Sequence, residues 1–210
     1  MNTIYRKVIK RLLGILLVLL SFPLVMIVSI PTAVAIRLED GGPVFYKGLR
    51  YGKDMRKFYE YKFRSMKVNV PDIRNKDGTT YNSEDDPRLT KIGRFLRRTS
   101  IDELPQFFNV LKGDMSIIGP RPSPMGNEAT YTDFVKKKFT VRPGITGYNQ
   151  ALLRNTATLE QRYENDVYYA ENVSFLFDLK ILLMTVRTVL THKGINHPES
   201  EKPKSDVTIK

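Results

Sequence analysis

The chain has 210 residues and a formal net charge of +12, from 34 Lys and Arg against 22 Asp and Glu. This length fits one compact domain with an appendage, and the charge indicates anionic partners such as lipid headgroups, nucleic acid or phosphorylated metabolites. Its composition, 41% hydrophobic and 27% charged, excludes a disordered chain and a bundle of membrane spans, and the lack of cysteine excludes disulfides and thiolate nucleophiles.

The first predicted element is an uncharged apolar run at residues 12–36, with basic residues on both sides. As a helix it would be about 37 Å long at ~1.5 Å per residue, which is enough for a hydrocarbon core of about 30 Å. The basic flanks assign both ends to the cytoplasm, and Pro23 removes a helical hydrogen bond near the centre. We therefore expect a re-entrant helix that enters, bends at Pro23 and leaves by the same face. A cleaved signal peptide and a simple spanning anchor are the alternatives.

Two short strands are predicted next, at residues 43–47 and 58–66, joined by a basic turn. In the second strand, aromatic residues alternate with charged ones, so Lys62 and Arg64 share one face. Two neighbouring cations could hold a phosphate, and an ordinary solvated face is the alternative. Residues 68–87 are polar and rich in turn signals, which predicts a mobile loop.

Residues 88–98 predict a basic amphipathic helix with five cations and no acid. Apolar residues recur there at helical spacing, namely Leu89, Ile92, Phe95 and Leu96. Such a helix suits a surface of anionic membrane lipid. A helix that binds nucleic acid would look similar, but the chain shows no recognisable nucleic-acid module, so we expect no nucleic-acid partner.

An acidic pair, Asp102 and Glu103, follows this helix directly. A structural role would explain it, because Ser100 and Glu103 have the spacing of a capping box and Asp102 would also suit the N-cap of the next helix, which stops at Gly113. In the functional alternative, one carboxylate holds a magnesium ion and the other acts as a nucleophile on phosphorus.

Arg121 stands between Pro120 and Pro122, which fix their own backbone angles and hold the arginine stiffly. A stiffly presented guanidinium suits bidentate phosphate binding, although an arginine in a polyproline-like loop is also a common structural feature. Farther along, a capping box is predicted at Thr158 and Gln161. Residues 174–191 predict a helix packed on the body or lying at the membrane interface.

Taken together, these motifs resemble those of the bacterial sugar transferases, the monotopic phosphoglycosyl transferases that start glycan assembly on a polyprenol carrier. The resemblance extends over nearly the whole chain, to about residue 192. Its motifs are YKFRSM at 61–66, RRTSIDELPQ at 97–106, NVLKGDMSIIGPRP at 109–122, RPGITG at 142–147, NDVYY at 165–169 and LFDLK at 176–180. This match favours the functional explanation of the acidic pair over the structural one.

The resemblance implies an α+β fold that is mainly helical. It has a re-entrant membrane helix at residues 1–38, a cytosolic catalytic domain at 39–192 and a polar tail at 193–210. The catalytic domain would carry a small β-hairpin and interfacial amphipathic helices. The implied location is the cytoplasmic face of the bacterial inner membrane, in contact with anionic lipids, and a homodimer is a candidate assembly.

The resemblance also implies a magnesium-dependent ping-pong reaction between a UDP-sugar and undecaprenyl phosphate. Asp102 would attack the β-phosphate and expel UMP, and undecaprenyl phosphate would then remove the phosphosugar from Asp102. Glu103, together with Asp102, would hold or orient Mg²⁺. The cations expected around the phosphates are Lys62, Arg97 and Arg121, with Arg64 as a further candidate beside Lys62 on the strand.

Two stretches depart from the family pattern, and the first is Ser21-Phe22-Pro23, where the family commonly has Ser directly before Pro. In the second, residues 149–155 read NQALLRN, where relatives often carry a glycine-containing Asn-Gly-Arg stretch, and this difference leaves the identity of the sugar open. The competing hypothesis is a non-catalytic, membrane-anchored module whose basic helix binds anionic lipid or nucleic acid. A lipid-binding surface does not need an acidic pair beside a constrained arginine, which favours the enzyme.

Overall fold

The computed structural model describes residues 4–71, 73, 81, 83, 86–153 and 156–190. Within these ranges helices dominate a mixed α and β fold, with one long apolar helix near the N-terminus and two small sheets. The predicted fold class is confirmed in this form. The predicted tail at 193–210, part of the predicted loop at 68–87 and the last two residues of NQALLRN lie outside the described residues. The domain boundary at residue 38 stays a prediction.

Seven α-helices lie in the described ranges: α1 Lys10–Asp40, α2 Lys91–Thr99, α3 Gln106–Lys112, α4 Asp133–Lys136, α5 Tyr148–Leu152, α6 Leu159–Glu171 and α7 Phe175–Leu190. A π-helical segment, Tyr5–Ile9, leads into α1. Tighter 3-10 turns occupy Lys53–Met55, Ile101–Glu103, Glu128–Thr130 and Lys137–Thr140. The predicted capping box is confirmed at the start of α6, and the last predicted helix is confirmed as α7.

The same ranges contain five short strands: β1 Phe45–Tyr51, β2 Lys57–Phe63, β3 Ser116–Ile118, β4 Ser123–Pro124 and β5 Gly144–Thr146. One sheet has the antiparallel order β2-β1-β4, and β3 pairs with β5 in parallel. The predicted hairpin is confirmed as β1 and β2. Its first strand begins and ends later than predicted, because the chain turns only at Gly52, whose N–H donates to the Arg56 carbonyl at 2.9 Å.

The apolar segment Tyr5–Asp40 is long and apolar enough to cross a membrane, judged by length and composition. Its helix continues through Pro23 and Pro31, so the predicted bend at Pro23 is not confirmed. The Ser21 hydroxyl donates to carbonyls of the preceding turn, at 2.8 Å to Leu17 and 3.0 Å to Val18. The hydroxyl therefore bonds the backbone near the proline.

Both ends of α1 pack against the rest of the protein. Toward its start, Val18 is fully buried against Val110 and Met115, and toward its end Ile36 is buried with neighbours on β2 and α2. The side chains between these two contacts are mainly exposed, and the large ones are Leu19, Leu20, Phe22, Leu24, Met26, Ile27 and Ile30. The middle of α1 therefore carries a continuous exposed apolar surface.

A buried polar cluster around Asp178 joins the segment before α1 to α6 and α7. The Tyr5 hydroxyl donates to Asp178 Oδ2 at 2.5 Å, and the Tyr169 hydroxyl donates to Oδ1 at 2.6 Å. The ammonium group of Lys10 forms an ion pair with the same carboxylate. Since a buried charge is tolerated only when it is paired, this carboxylate holds the start of α1 in place.

We predict that Asp178→Asn lowers the free energy of unfolding by about 3 kcal/mol, because the Lys10 ammonium group then stays buried without its counter-charge. Denaturant unfolding in detergent would measure the loss. Asp133→Asn is the matched control, since Asp133 forms an exposed ion pair with Lys136 and its loss should cost less than about 1 kcal/mol. Equal effects of the two substitutions would contradict the assigned role of Asp178.

The basic helix starts later than predicted. Thr90 caps α2 by accepting a hydrogen bond from the Gly93 N–H at 2.9 Å, so the helix begins at Lys91 and not at residue 88. The prediction that Arg88 belongs to this lipid-facing helix was wrong. Arg88 is buried, and its guanidinium pairs with the Asp86 carboxylate at 2.7 and 2.9 Å.

Candidate active site

A cleft of about 1350 Å³ opens beside the hairpin. Its wall contains all six charged residues that the sequence predicted for the site, namely Lys62, Arg64, Arg97, Asp102, Glu103 and Arg121. They come from β2 and the residue after it, from α2 and the turn after it, and from the loop between β3 and β4. The fold therefore brings together residues that lie up to about 60 positions apart in the chain.

The acidic pair lies on a single tight turn, Ile101–Glu103, between α2 and α3. Neither predicted capping arrangement is found. Ser100 has a left-handed backbone with φ of 60° and makes no capping hydrogen bond, and Pro105 occupies the N-cap position of α3. The two carboxylates therefore do not cap α3, and the structural explanation drawn from their spacing was wrong.

Asn109 on α3 holds the hairpin against the acidic turn. Its Nδ2 donates to the Tyr59 carbonyl at 2.7 Å, and its Oδ1 accepts from the Tyr61 N–H at 3.0 Å. A fully buried amide thus satisfies two backbone groups of β2, as a neighbouring strand would. Because side chains alternate along a strand, Glu60 and Lys62 share one face of β2, and Lys62 contacts Glu103.

Lys62 and Arg121 converge on one oxygen of Glu103. The Lys62 ammonium nitrogen is 2.7 Å from Glu103 Oε1, and Arg121 Nη2 is 3.5 Å from the same atom. Lys62 also lies 3.7 Å from Glu60 Oε1, and Arg50 Nε contacts the second oxygen of Glu60 at 2.9 Å. Glu60 is thereby a third carboxylate of this cluster.

A glycine allows α2 to approach the site closely. A Cβ atom at Gly93 would lie 1.9 Å from the Ser65 carbonyl oxygen, so only glycine fits where α2 crosses the chain after β2. One turn farther along α2, Arg97 Nε donates to the Ser65 hydroxyl at 3.0 Å. This contact places the Arg97 guanidinium in the wall of the cleft.

A second close backbone contact supports Arg121. The Gly119 N–H donates to the Thr146 carbonyl at 2.9 Å, and the Gly144 N–H donates to the Pro120 carbonyl at 2.9 Å. A Cβ atom at Gly147 would lie only 2.0 Å from the Gly119 carbonyl oxygen. The RPGITG motif therefore packs directly under the loop that presents Arg121, which explains the need for its glycines.

The environment of Asp102 disfavours its charged form. Burial raises the pKa of Asp102 to about 6, and the neighbouring charge of Glu103 acts in the same direction. The opposing cations, Lys62, Arg97 and Arg121, favour the carboxylate but do not cancel these effects. At pH 7 Asp102 is therefore mainly an ionised carboxylate that is poorly solvated, which suits a nucleophile.

Glu60 and Lys62, two other members of the cluster, stay charged. Burial opposes ionisation of Glu60, yet Lys62, Arg50 and Arg121 hold the pKa of this carboxyl below its usual range. Burial likewise opposes the charge of Lys62, but Glu103 and Glu60 raise the pKa of the ammonium group. Asp102 thus has a raised pKa, whereas the pKa of Glu60 in the same cluster is lowered.

Arg64 has partners other than the acidic pair. Its Nη1 contacts Asp40 Oδ2 at 2.7 Å, and its Nε donates to the Pro43 carbonyl at 2.6 Å. These contacts join the end of α1 to the hairpin. Its predicted role in phosphate binding stays a prediction, and in this structure the guanidinium holds two elements together.

Sequence reasoning missed several residues of the cleft. The period of β2 could have found Glu60, because it lies two positions before Lys62 on the same face. No local pattern points to Lys138, whose ammonium nitrogen is 2.5 Å from Asp166 Oδ2 in a fully buried pair. Gln150, on α5, also lines the cleft and was noted only as part of a departure from the family pattern.

The acidic pair offers candidate ligands for a divalent metal ion. Across the described part of the chain, no group of three Asp, Glu, His or Cys side chains is arranged to hold a metal. Magnesium is usually held by one or two carboxylates together with substrate phosphates and water, and the adjacent carboxylates of Asp102 and Glu103 provide that donor set. The residues therefore fit a magnesium ion shared with a phosphate substrate.

We predict that Asp102→Asn raises the thermal unfolding midpoint by about 5 °C at pH 7. The folded pKa of about 6 exceeds the ordinary value of 3.8, so the folded state binds the Asp102 proton more tightly than the unfolded chain. Folding thus becomes less favourable as the pH rises from 3.8 to about 6. Asparagine does not ionise, so the variant does not lose this stability.

Scanning fluorimetry from pH 4 to 8 would measure this difference. The two proteins should differ most above pH 6 and should converge near pH 4. A variant that is less stable than the unmodified protein at pH 7 would contradict the prediction.

An apolar helix joined to a cationic cleft with a buried carboxylate is the arrangement expected of a membrane-associated enzyme that acts on phosphates. The chain belongs to the bacterial sugar transferase family, which it matches over residues 5–192. The family membership expected from the motifs is confirmed. The alternative of a non-catalytic module finds no support in this match.

Named relatives agree with the family. The chain is 42% identical over 198 residues to EpsL, an uncharacterised sugar transferase of Bacillus subtilis (strain 168), covering 93% of this chain and 95% of EpsL. It is 41% identical over 196 residues to the UDP-N-acetylgalactosamine-undecaprenyl-phosphate N-acetylgalactosaminephosphotransferase of Aeromonas hydrophila, covering 89% and 44%. It is 42% identical over 188 residues to the UDP-glucose:undecaprenyl-phosphate glucose-1-phosphate transferase of Escherichia coli (strain K12), covering 86% and 40%. The chain spans less than half the length of the last two proteins.

Proposed function

We propose that this protein transfers a sugar-1-phosphate from a UDP-sugar to undecaprenyl phosphate and releases UMP. The printed names of two relatives describe reactions of this type. The structural observation that carries the proposal is the buried Asp102 carboxylate with a pKa of about 6, surrounded by cations that suit phosphates.

In the first step a carboxylate oxygen of Asp102 forms a bond to the β-phosphorus of the UDP-sugar. The bond between this phosphorus and the bridging oxygen breaks, and UMP leaves with that oxygen and its electron pair. A phosphosugar then remains on Asp102 as an acyl phosphate. The poor solvation of the carboxylate favours this step, since little water has to be displaced from the nucleophile.

In the second step an oxygen of undecaprenyl phosphate attacks the same phosphorus. The bond to the Asp102 oxygen breaks, which regenerates the carboxylate and yields undecaprenyl-diphosphate-sugar. A carboxylate is a good leaving group, so the intermediate transfers readily to the second phosphate. The same site thus binds the phosphates of the UDP-sugar first and the phosphate of undecaprenyl phosphate second.

The cations of the cleft neutralise the phosphates during both steps. Phosphoryl transfer depends mainly on positioning and charge neutralisation, and Lys62, Arg97 and Arg121 supply both functions. Glu103, itself held by Lys62 and Arg121, and Asp102 would hold Mg²⁺. When bound, this ion neutralises phosphate charge.

We predict that Asp102→Asn lowers the rate of UMP release at least about a thousandfold, because the amide cannot act as the nucleophile. Membranes would be given a UDP-sugar labelled with ³²P at the β-phosphate. Without acceptor, the unmodified protein should retain label and release it on addition of undecaprenyl phosphate, and the variant should retain none.

Asp54→Asn is the matched control, because Asp54 is exposed on the hairpin turn and asparagine tolerates its left-handed backbone. This variant should retain label like the unmodified protein. Undiminished UMP release by Asp102→Asn would rule out Asp102 as the nucleophile. Turnover without retained label in the unmodified protein would instead favour direct transfer between the two substrates.

We also propose that α1 is re-entrant and that the body lies on the cytoplasmic face of the bacterial inner membrane. Both ends of α1 pack on the same body, and its middle is exposed and apolar. The outer face of α7 is also apolar and exposed, at Phe175, Leu176, Leu179, Leu183 and Val186. On α2, Phe95 is exposed together with Lys91, Arg94 and Arg98, as suits an anionic lipid surface.

We predict that single cysteines at Lys7 and Leu38 react with a membrane-impermeant maleimide from the same side. Both positions are exposed at opposite ends of the apolar helix, and the chain has no other cysteine. In inverted membrane vesicles both should be labelled, as should a cysteine at Lys53 on the exposed hairpin turn.

A cysteine at Leu24, in the exposed apolar middle of α1, is the matched control and should stay unlabelled. Labelling of positions 7 and 38 from opposite sides would contradict the re-entrant helix and favour a spanning anchor. A mature protein without position 7 would favour the signal peptide.

A further inference from the structure

The cleft extends beyond the acidic pair to α5 and α6, where the proposed mechanism assigns no residue. Gln150 on α5 lines this part of the cleft. Both polar atoms of its side chain, Nε2 and Oε1, are buried, and neither has a hydrogen-bond partner in the structure as described. Since buried polar groups in folded proteins are nearly always hydrogen-bonded, this amide calls for an explanation.

The neighbouring residue shows that an amide on α5 can be satisfied within the protein. Asn149 is buried, and its Oδ1 accepts a hydrogen bond from Asn165 Nδ2 at 3.1 Å. The two amides are adjacent on one short helix and both residues line the cleft, yet the amide of Gln150 has no partner among the described residues. An unpaired amide of this kind weakens the fold, so its presence is best explained by a ligand that completes its hydrogen bonds.

The position of Gln150 relates it to the phosphate site. Its Oε1 would lie 2.9 Å from a Cβ atom on Gly147, and the same Cβ would lie 2.0 Å from the Gly119 carbonyl. Gly119 precedes Arg121 by two residues, and Arg121 contacts Glu103 at 3.5 Å. The amide therefore lies on the Arg121 side of the acidic pair, next to the place where the donor phosphates would bind.

We propose that Gln150 is a specificity-determining residue that binds the donor substrate through a group presenting a hydrogen-bond donor and an acceptor side by side. This inference rests on the proposed function. A primary amide carries the complementary acceptor and donor on adjacent atoms. On a UDP-sugar, the imide edge of the uracil and the polar groups of the sugar, such as an acetamido group, offer this pair.

The binding site would discriminate strongly between donors. A substrate with the complementary pair satisfies both atoms of Gln150, and one without it leaves them buried and unpaired. This chemistry gives one residue of the NQALLRN stretch a direct part in the choice of substrate.

The test is Gln150→Leu, which keeps a similar volume and removes both polar atoms. Without ligand, its thermal unfolding midpoint should equal or exceed that of the unmodified protein, because an unsatisfied amide is removed. With a UDP-sugar that the unmodified protein accepts, the KM for UMP release should rise about tenfold or more, with kcat at saturation little changed. Gln150→Met serves the same purpose should the leucine variant fail to fold.

Gln161→Leu is the matched control. Gln161 lies outside the cleft lining, and its Oε1 accepts a hydrogen bond from the Thr158 N–H at 3.1 Å in the capping box of α6. This variant should unfold at a lower temperature and keep its KM. A residue with a purely structural role would behave like Gln161. An unchanged or higher unfolding midpoint together with a raised KM in Gln150→Leu therefore identifies a ligand contact.

Stabilisation of the protein by UMP and by a panel of UDP-sugars, with and without an N-acetyl group, would identify the contacted group. If the substitution weakens binding of UMP and of every UDP-sugar equally, Gln150 contacts the uracil. If it weakens binding of particular UDP-sugars and leaves UMP unchanged, Gln150 contacts the sugar. Either result supports the inference.

Unchanged binding of UMP and of all UDP-sugars by Gln150→Leu would overturn the inference that Gln150 contacts the donor substrate. These binding measurements do not need turnover, so they test the Gln150 contact separately from the proposed transfer reaction. UDP-sugars that stabilise the unmodified protein but release no UMP would contradict the proposed reaction alone. An unmodified protein that no UDP-sugar stabilises would contradict both.

Discussion

Charge balance within the cleft is the constraint on which the rest of this structure depends. Three carboxylates lie close together there, on Glu60, Asp102 and Glu103, and burial of like charges is tolerated only among cations. The surrounding cations are Arg50, Lys62, Arg97 and Arg121. The cluster thus has an excess of one positive charge over the carboxylates, which suits the binding of phosphates. The same balance leaves Asp102 with a raised pKa, while Glu60 and Lys62 stay charged.

Two contacts with the backbone keep the charged groups of this cluster in position. Asn109 bonds the backbone of β2 as a neighbouring strand would and so holds the strand that carries Glu60 and Lys62. The glycine contact between Gly119 and Gly147 supports the loop that presents Arg121. Neither contact touches the acidic pair, yet each fixes the position of a cation around it. Motifs far apart in sequence therefore act as one site, because rigid backbone contacts align them.

The long apolar helix α1 is fixed to the same body as the cleft. Near the start of α1, the Asp178 carboxylate accepts hydrogen bonds from Tyr5 and Tyr169 and pairs with Lys10. At the end of α1, the contact between Asp40 and Arg64 joins the helix to the hairpin. Both anchors lie in the body that carries the cleft. A rigid connection between the apolar helix and the cleft suits the proposed reaction, in which one substrate is dissolved in water and the other is held in the bilayer.

The sequence by itself determined the long apolar helix, the hairpin, α7 and the identity of the acidic pair with most of its cations. These features depend on local periodicity, on charge at fixed spacing and on motifs that a resemblance can match. Only the tertiary structure decided how charges pair, because the ion-pair partner of a charged side chain depends on how distant segments pack together. It assigned Arg64 to Asp40, buried Arg88 against Asp86, and added Glu60 and Arg50 to the cluster. It also raised the pKa of Asp102 and left the Gln150 amide unpaired among the described residues, since burial is a property of the folded chain and not of any local pattern.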